Sequence, residues 1–357
     1  MTLILSNEDI TSVLSIKDCI DDLEAAYLDL DQGIAVTRQR SDTLVPSGDR
    51  IYGLKTMDGI APSAGVGAVR INSDIVTWPS VGDTIRRVKV PAAPNNRYTG
   101  LVLLFSIETG QPLAIMPDGV IQRMRVGATS AIGANLLANQ GVQEVAVLGS
   151  GWQAGAQVLA ICAARPEIQT VRCFSPNRDN CEAFVREMSD QVSARIIACH
   201  DPKEAIQGAG IVLCATNAIE PVFQEDWFET GMHIGSIKMS EITPDALTKA
   251  DAVVMHLGHG APLLTKAAGL EVPDHSQGRG WEMRDRYDFS ECLTLPSLVA
   301  GREVPRKSPT DRTCFVNDLG LGLQFAVVAA RCLKEAEKKG LGHHQIKLQY
   351  ILDLFAP

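Results

Sequence analysis

An α/β fold with two domains is predicted: a Rossmann domain built on a doubly wound parallel sheet, and an α+β domain whose sheet is mostly antiparallel. Three observations predict it. The chain has 357 residues, more than one average hydrophobic core accommodates. Residues 144–155 combine a short apolar run with a glycine-rich turn, and strand-like runs alternate with helical segments after it. Before it, short alternating runs broken by glycine and proline are typical of antiparallel strands.

The composition is that of a globular protein and disfavours polyanionic partners. Hydrophobic residues make up 45% of the chain, charged residues 21%, and 30 residues are glycine, as in many α/β enzymes. The formal net charge of −9 disfavours binding to nucleic acid. No apolar run approaches the roughly 20 residues that span a bilayer, so no membrane partner is expected.

The cysteines and the N-terminus favour a cytoplasmic location. The nine cysteines are scattered, odd in number and never spaced as C-x-x-C, which favours reduced thiols and indicates no metal site. The first residues lack a basic region, and their apolar run is far shorter than the core of a signal peptide. The protein is therefore expected to stay in the cytoplasm.

The first third of the chain begins with a short strand and a long helix. Ser15 is followed three residues later by Asp18, which resembles a helix-capping box, and apolar residues then recur at helical spacing as far as Gly33. From residue 37 to 115 the pattern changes to the alternating runs of an antiparallel sheet. Residues 108–111 predict a hairpin turn within it.

The helix predicted within residues 118–140 connects the antiparallel sheet to the second domain. Small side chains would let its backbone approach a neighbour closely; they are Gly127, Ala128, Ser130, Ala131, Gly133 and Ala134. The parallel strands are predicted near residues 145–148, 170–175, 195–199, 211–215, 232–237, 252–255 and 313–316. A final helix at residues 321–339 should return to the first domain. Residues 256–310 give no clear pattern.

The turn after residues 145–148 has the features of a dinucleotide-binding fingerprint. Gly149 permits a tight turn, and Gly151 lets a pyrophosphate approach the backbone. Ala154 or Gly155 supplies the third small position. The helix that opens here presents its positive N-terminus to phosphate groups. NAD or NADP is therefore predicted as cofactor, bound through Gly149, Ser150, Gly151, Gln153 and Ala154.

The end of the next strand indicates which nicotinamide cofactor is bound. Enzymes that use NAD place Asp or Glu there, against the ribose 2′-hydroxyl. Here the sequence is S-P-N-R, so no carboxylate repels a 2′-phosphate, and the guanidinium of Arg178 can bind it. NADP is favoured over NAD, unless Arg178 only begins a solvated helix. The other predicted cofactor contacts are Ser175, Asn177, Thr216 and Asn217.

Three separated motifs resemble the ornithine cyclodeaminase and mu-crystallin family. They are G-Q-P-L-A-I-M-P-D-G-V-I-Q-R-M-R-V-G-A-T-S-A at residues 110–131, G-S-G-W-Q-A-G at 149–155 and L-G-L-G-L-Q at 319–324. The resemblance implies a homodimer of two-domain subunits, and pairing would also cover the edges of the antiparallel sheet. Residues 1–125 and 313–357 would then form the substrate-binding and dimerisation domain, and residues 126–312 the NAD(P)-binding Rossmann domain.

The family binds the substrate carboxylate with two arginines and a lysine, which the motifs match to Arg40, Arg70 and Arg125. Arg70 stands where the family commonly has the lysine. A lysine in an apolar pocket can release its proton, whereas arginine keeps its proton in proteins. The substitution therefore favours a carboxylate clamp over acid–base chemistry. Taken singly, each arginine could instead belong to a surface ion pair.

Other departures from the family concern the chemistry. Cyclodeaminases carry an aspartate after the strand matched here by residues 232–237. In this chain the segment is shorter, with Lys238 near the place of the aspartate and Glu241 matching a later family glutamate. Val126 replaces a threonine that often binds the cofactor, and Phe325 replaces a frequent aspartate. Ring-closing deamination is thereby disfavoured.

The resemblance and the arginines together predict an NAD(P)-dependent oxidoreductase that reduces an imino acid (a ketimine) or oxidises an amino acid at the α-carbon. Arg70 would face the reacting carbon, and the candidate proton donors are Lys238, Asp318 and bound water. The alternatives are a cyclodeaminase-type ammonia lyase with tightly bound NAD and a non-catalytic binding protein like mu-crystallin. The fixed positive charge of the pocket favours a substrate with a second carboxylate over ornithine.

Overall fold

The computed structural model describes residues 2–81, 84–85, 88–94, 97–218, 220–258, 263–270 and 287–346. Its helices are α1 (Asn7–Val13), α2 (Ile16–Asp31), α3 (Gly119–Leu137), α4 (Trp152–Ala164), α5 (Arg178–Ser189), α6 (Pro202–Ile206), α7 (Pro244–Lys249), α8 (Leu295–Val299) and α9 (Gly322–Lys339). Its strands are β1 (Thr2–Ile4), β2 (Val36–Thr37), β3 (Ser41–Ser47), β4 (Arg50–Ala61), β5 (Val66–Thr77), β6 (Ser80–Val81), β7 (Thr84–Ile85), β8 (Val88–Val90), β9 (Thr99–Ser106), β10 (Pro112–Pro117), β11 (Glu144–Leu148), β12 (Thr170–Phe174), β13 (Arg195–Ala198), β14 (Ile211–Cys214), β15 (His233–Ser236), β16 (Ala252–Met255), β17 (Leu263–Lys266), β18 (Leu293–Thr294), β19 (Thr313–Val316) and β20 (His343–Ile346).

The first sheet is mostly antiparallel, which confirms the prediction for residues 37–115. Its order is β17-β3-β4-β5-β9-β10-β1-β20, with β2 beside β4 and β8 beside β5. Two of its pairings are parallel, β1 with β10 and β17 with β3. Buried and half-buried residues alternate along β5, because successive side chains point to opposite faces of a strand. The buried face of β5 carries three polar side chains, Arg70, Asn72 and Asp74, and this face provides part of the candidate site.

The second sheet is parallel, with strand order β13-β12-β11-β14-β15-β19-β16-β18. This is the predicted Rossmann arrangement, with the strand order reversing beside β11. The last four residues of β11 are at most 2% exposed, as expected for a strand covered on both faces. The fold class, α/β with a parallel and a mainly antiparallel sheet, is confirmed.

Two helices join the sheets through contacts that only glycine allows. A Cβ on Gly127 of α3 would lie 2.4 Å from the Ala156 carbonyl oxygen of α4. A Cβ on Gly322 of α9 would lie 2.0 Å from the Asp58 carbonyl carbon of β4, and one on Gly59 would lie 2.2 Å from the Leu323 nitrogen. The small-residue helix thus lies against the second sheet's first helix, and the last helix returns to the first sheet.

The structure also contains elements that the sequence did not predict. Helix α1 begins after Ser6, whose side chain forms a capping box with Asp9. Within residues 256–310 lie α8, β18 and β17, and β17 pairs with β3 of the first sheet although it falls inside the range predicted for the Rossmann domain. Residues 347–357 of the predicted first domain lie outside the described residues. Among the described helices, none is both long enough and apolar enough to cross a membrane.

Candidate active site

The glycine-rich turn after β11 is held where only glycine fits. Gly149 has φ 119°, a backbone conformation that other residues rarely adopt. A Cβ at this position would lie 2.3 Å from the Ala215 carbonyl oxygen at the end of β14. The Gly149 amide donates to the Phe174 carbonyl, at 2.8 Å, so the ends of three strands are drawn together at this turn.

Helix α4 begins at this turn with its first amides uncapped. Its N-cap is Gly151, which has no side chain to accept from them. Space beside Gly151 is open, since a Cβ there would meet no atom within 4 Å. Ala154 is fully buried against β11 and supplies the third small position of the fingerprint. Ser150 and Gln153, both half-buried, belong to the same turn. These features fit a dinucleotide, whose pyrophosphate would accept hydrogen bonds from the free amides.

The end of β12 carries the residues predicted to contact the ribose. Asn177 caps α5, since its side-chain oxygen accepts from the Asn180 amide at 2.9 Å. Arg178 follows it and pairs with Glu182, with 2.7 Å between Nε and Oε1. Its Nη1 donates to the Cys199 carbonyl at 3.1 Å. The side chain is 42% exposed, so it stands at the predicted place but already has a carboxylate partner. Ser175, just after the strand, is half-buried.

The loop after β14 is held by Glu241, for which no role was predicted from the sequence. This buried carboxylate accepts from the amide and hydroxyl of Thr216, at 2.6 and 2.8 Å, and from the Ile237 amide at 3.1 Å. Asn217 follows in the same loop and is exposed. Lys238, a predicted proton donor, donates from Nζ to the Ala218 carbonyl at 2.7 Å. Glu241 therefore holds the loop at the edge of the sheet where a nicotinamide would lie.

Arg70 and Arg125 come together although they are far apart in the sequence. Their guanidinium carbons lie 5.4 and 5.3 Å from the centre of the Phe325 ring. Arg70 donates from Nε and Nη2 to one carboxylate oxygen of Asp118, at 2.8 and 2.6 Å. Gly100 leaves room for this carboxylate, because a Cβ there would lie 2.1 Å from it. The sequence did not identify Asp118, which the motif at residues 110–131 contains.

Arg125 lies in the most desolvated part of the site. It is 4% exposed, and its Nη1 donates to the Gln324 side-chain oxygen at 3.1 Å. Burial, followed by the nearby positive charge of Arg70, lowers the pKa of Arg125 to about 9, so the guanidinium is protonated at neutral pH. Among Arg70, Arg125 and Asp118, one positive charge is left over. Such a site attracts a carboxylate.

The two remaining predicted residues are Arg40 and Asp318. Arg40 makes a two-bond ion pair with Asp42, at 2.8 and 2.9 Å, before β3. The register places Asp42 beside Lys55 of β4, which is a neighbour of β5. Asp318, half-buried, follows β19. The structure brings Arg70 and Arg125 together directly, while Arg40 has its ion pair elsewhere on the sheet.

Residues 1–339 match the family model described as the ornithine cyclodeaminase/mu-crystallin family. The chain belongs to this family. An uncharacterized cyclodeaminase of Sinorhizobium fredii is 28% identical over 288 residues, covering 79% of this chain and 80% of that protein. A Δ1-pyrroline-2-carboxylate reductase of Bacillus cereus is 25% identical over 281 residues, covering 74% of this chain and 82% of the reductase.

A solved structure shares the fold of this chain. It is the Δ1-pyrroline-2-carboxylate reductase of Thermococcus litoralis, in complex with NADH and L-proline. The TM-score is 0.78 at 24% identity, with 96% of this chain and 100% of that chain covered. At this identity the likeness shows the fold alone.

Proposed function

We propose that this chain is an NAD(P)-dependent imino-acid reductase. The observation that carries the proposal is the buried pair of Arg70 and Arg125 around Phe325, with Asp118 as one counter-charge. An imino acid offers a carboxylate next to the carbon that receives the hydride, so binding the carboxylate also places the reacting carbon. The name of the Bacillus cereus relative supports this reaction class.

The protein groups would act mainly by binding and orienting. Bound NADPH or NADH supplies the hydride, and the reaction is imine plus NAD(P)H plus a proton, giving amine plus NAD(P)⁺. Arg125 and Arg70 would hold the carboxylate in a site with little water, where charge-assisted hydrogen bonds are strong. Arginine side chains do not serve as proton donors in proteins. The proton therefore comes from another donor, for which Lys238, Asp318 and bound water are our candidates.

The substrate is proposed to carry a second carboxylate. The site has one positive charge beyond the Arg70–Asp118 pair. Lys55 of β4 and Lys89 of β8 both pair with Asp74, which lies on the same face of β5 as Arg70. A dicarboxylic imine would meet complementary positive charge on this face of the sheet. The distal ammonium of ornithine would meet repulsion.

The cyclodeaminase alternative requires a carboxylate that acts on the substrate amine. Glu241, the carboxylate nearest to the family aspartate in sequence, already accepts from Thr216, Ile237 and Ser236. Both of its carboxylate oxygens are thus engaged by protein donors. The non-catalytic alternative would not need a clamp of two buried arginines.

The reaction is tested by comparing two incubations of one enzyme preparation. Dicarboxylic keto acids with ammonia or methylamine should consume NADPH, and ornithine with NAD should give little or no proline. Omitting the amine is the control, because it separates imine reduction from reduction of the keto group. Abundant proline without net change of cofactor would establish the cyclodeaminase instead.

We propose NADPH as the preferred cofactor, bound at its 2′-phosphate by Arg178. Nε of Arg178 donates to Glu182 and Nη1 donates to the Cys199 carbonyl, so Nη2 would bind the phosphate. A charge-assisted hydrogen bond to the 2′-phosphate is stronger than one between neutral groups. Arg178→Ala should therefore reduce the ratio of the NADH to the NADPH dissociation constant by about tenfold or more. Arg186→Ala, in the last turn of the same helix, is the control. An unchanged ratio in Arg178→Ala would show that Arg178 does not contact the 2′-phosphate.

We propose a homodimer formed through the outer face of the first sheet. Several large apolar side chains on this face are at least 40% exposed: Val45, Leu54, Ile60, Leu101 and Ile107. An apolar surface of this kind on a sheet is typical of an interface. Light scattering at micromolar concentration should give about twice the 38.4 kDa mass of the chain. A charged residue in the middle of the face, Leu54→Asp, should give the monomer, and a monomeric parent protein would contradict the proposal.

A further inference from the structure

A buried chain of hydrogen bonds runs behind Arg125 and ends on the second sheet. The Gln324 side-chain oxygen accepts from Arg125 Nη1 at 3.1 Å, and its amide nitrogen donates to the Tyr27 hydroxyl at 2.9 Å. The Tyr27 hydroxyl lies 2.8 Å from His256 Nε2. His256 Nδ1 lies 2.6 Å from the Leu319 carbonyl oxygen. Tyr27, His256 and Gln324 are fully buried, so water cannot substitute for any of these bonds.

The direction of every proton in the chain can be derived from the His256 end. A carbonyl oxygen only accepts, so the Nδ1 of His256 must carry the proton shared with Leu319. Burial lowers the pKa of His256 to about 3, so the ring is neutral and its Nε2 is an acceptor. The Thr129 hydroxyl, 2.8 Å from that of Tyr27, donates its own proton to the Arg125 carbonyl oxygen. The Tyr27 hydroxyl donates to Nε2, which has no proton of its own, and its oxygen accepts from Gln324. Burial also raises the pKa of Tyr27 well above its ordinary value, so the hydroxyl stays protonated.

The orientation of the Gln324 amide follows independently from its other end. Arg125 Nη1 and the Leu321 amide are both donors, so the atom that faces them must be the oxygen, at 3.1 and 2.9 Å. The amide nitrogen then faces Tyr27 and the Thr129 hydroxyl, at 2.9 and 2.7 Å. Both ends of the chain therefore require the same orientation. A flipped amide would place its NH₂ group against two donors.

We propose that Gln324, Tyr27 and His256 are positioning residues for substrate binding, which fix the guanidinium of Arg125 through this one-directional chain of hydrogen bonds. The inference rests on the proposed function of Arg125 as a carboxylate clamp. None of the three residues needs to touch the substrate. Each acts through the next, and only Gln324 contacts Arg125.

The surroundings of Arg125 explain why such fixing is needed. One face of its guanidinium has the Phe325 ring, with 5.3 Å between its central carbon and the ring centre. A Cβ at Gly320 would lie 2.7 Å from Nη2, so the glycine leaves that side without a side chain. The bond to Gln324 is thus the polar contact that sets the angle of the guanidinium. His256 follows β16 and Leu319 follows β19, so the chain of hydrogen bonds is anchored on the second sheet. The orientation of the Arg125 guanidinium is therefore fixed relative to the sheet that would bind the cofactor.

The experiment uses Tyr27→Phe, which keeps the ring and removes one hydroxyl from the middle of the chain. We expect KM for the imine to rise about tenfold, with kcat within twofold of the parent and the dissociation constant of NADPH unchanged. Tyr52→Phe is the matched control, because it also removes one tyrosine hydroxyl. Tyr52 lies in β4 on the outer face of the first sheet, and its hydroxyl accepts from Ser73 at 3.2 Å. An unchanged KM in Tyr27→Phe, or an equal rise of KM in Tyr52→Phe, would overturn the proposal.

A second measurement reads the proton positions on the unmodified protein and needs no activity. Nitrogen-15 NMR of histidine-labelled protein at pH 7 should show His256 in the neutral Nδ1–H form, its signals being those lost in His256→Gln; His233, also buried and neutral with Nδ1 3.0 Å from the Thr313 hydroxyl, keeps its signals in that variant. An Nε2–H form or a charged ring would refute the proton direction and hence the proposal. Absence of any imine reduction, with the Nδ1–H form present, would instead contradict the proposed function and leave the chain of hydrogen bonds established.

Discussion

Replacing Arg125 with methionine is expected to lower kcat/KM for the imine substrate by about a hundredfold to a thousandfold. Truncating one partner of a buried, hydrogen-bonded charge pair costs about 2–5 kcal/mol, and about 1.4 kcal/mol corresponds to a tenfold change. Methionine has a similar length and no charge, so the pocket keeps most of its packing and loses the carboxylate contact. The loss should appear mainly in KM if the contact is equally strong in ground and transition states.

The same substitution should leave the fold as stable as before, or more stable. The pKa of Arg125 is lower in the folded protein than in the unfolded chain, which means that burial disfavours its charged form at neutral pH. Removing the charge removes this cost. The melting temperature of Arg125→Met should therefore match or exceed that of the parent, in contrast to its activity.

Arg172→Met is the control for this prediction. Arg172 is a half-buried arginine of β12, and its Nη2 lies 3.7 Å from Glu144 at the start of β11, the opposite end of that strand from the glycine turn. Its kcat/KM should stay within about twofold of the parent, since a weak ion pair contributes little. If Arg125→Met kept normal kinetics, the clamp would have to lie elsewhere.

Gly322→Ala is expected to cause the largest loss of stability, about 3 kcal/mol or more. The new methyl group would lie 2.0 and 2.2 Å from the Asp58 carbonyl carbon and oxygen, and no rotamer change can move backbone atoms away. Helix α9 would have to shift off β4 and take Gln324 with it. For a chain of this length the melting temperature should fall by about 4 °C or more.

Two further variants isolate the cause of that loss. Gly119→Ala is the control, because a Cβ there meets only the Asn7 side-chain oxygen at an ordinary 3.5 Å. Gly59→Ala disturbs the same approach from the other side, so the double variant Gly59→Ala/Gly322→Ala should lose less than the sum of the single losses. A melting temperature within 2 °C of the parent in Gly322→Ala would show that the helix can move at little cost.

Much of the fold follows from local sequence patterns. The apolar run before Gly149 predicts β11, because a strand buried on both faces carries apolar residues at successive positions. The alternating pattern within residues 65–72 predicts β5, because one of its faces is more buried than the other. Strand β17 has no such pattern. All four of its residues are exposed, and its place beside β3 is set by backbone pairing across more than 200 positions.

The candidate site divides in the same way. Gly149 and Gly151 are predictable because their neighbours in the chain complete the motif. Asp118 and His256 are not, since their roles depend on partners that only the folded chain brings near them, Arg70 and Tyr27. Ser6 and Asp9 of α1 are a different case, because their capping-box spacing is visible in the sequence itself.

Strand β17 also limits how the protein can be engineered. A chimera that exchanged residues 126–312 with the corresponding segment of a relative would carry a foreign strand into the first sheet, next to β3. Its pairing partners, Ser41 to Leu44, would then face a sequence that had diverged separately from theirs. Exchange of cofactor specificity between relatives therefore needs two donor segments, one on each side of β17, with the host's own residues 263–266 kept between them.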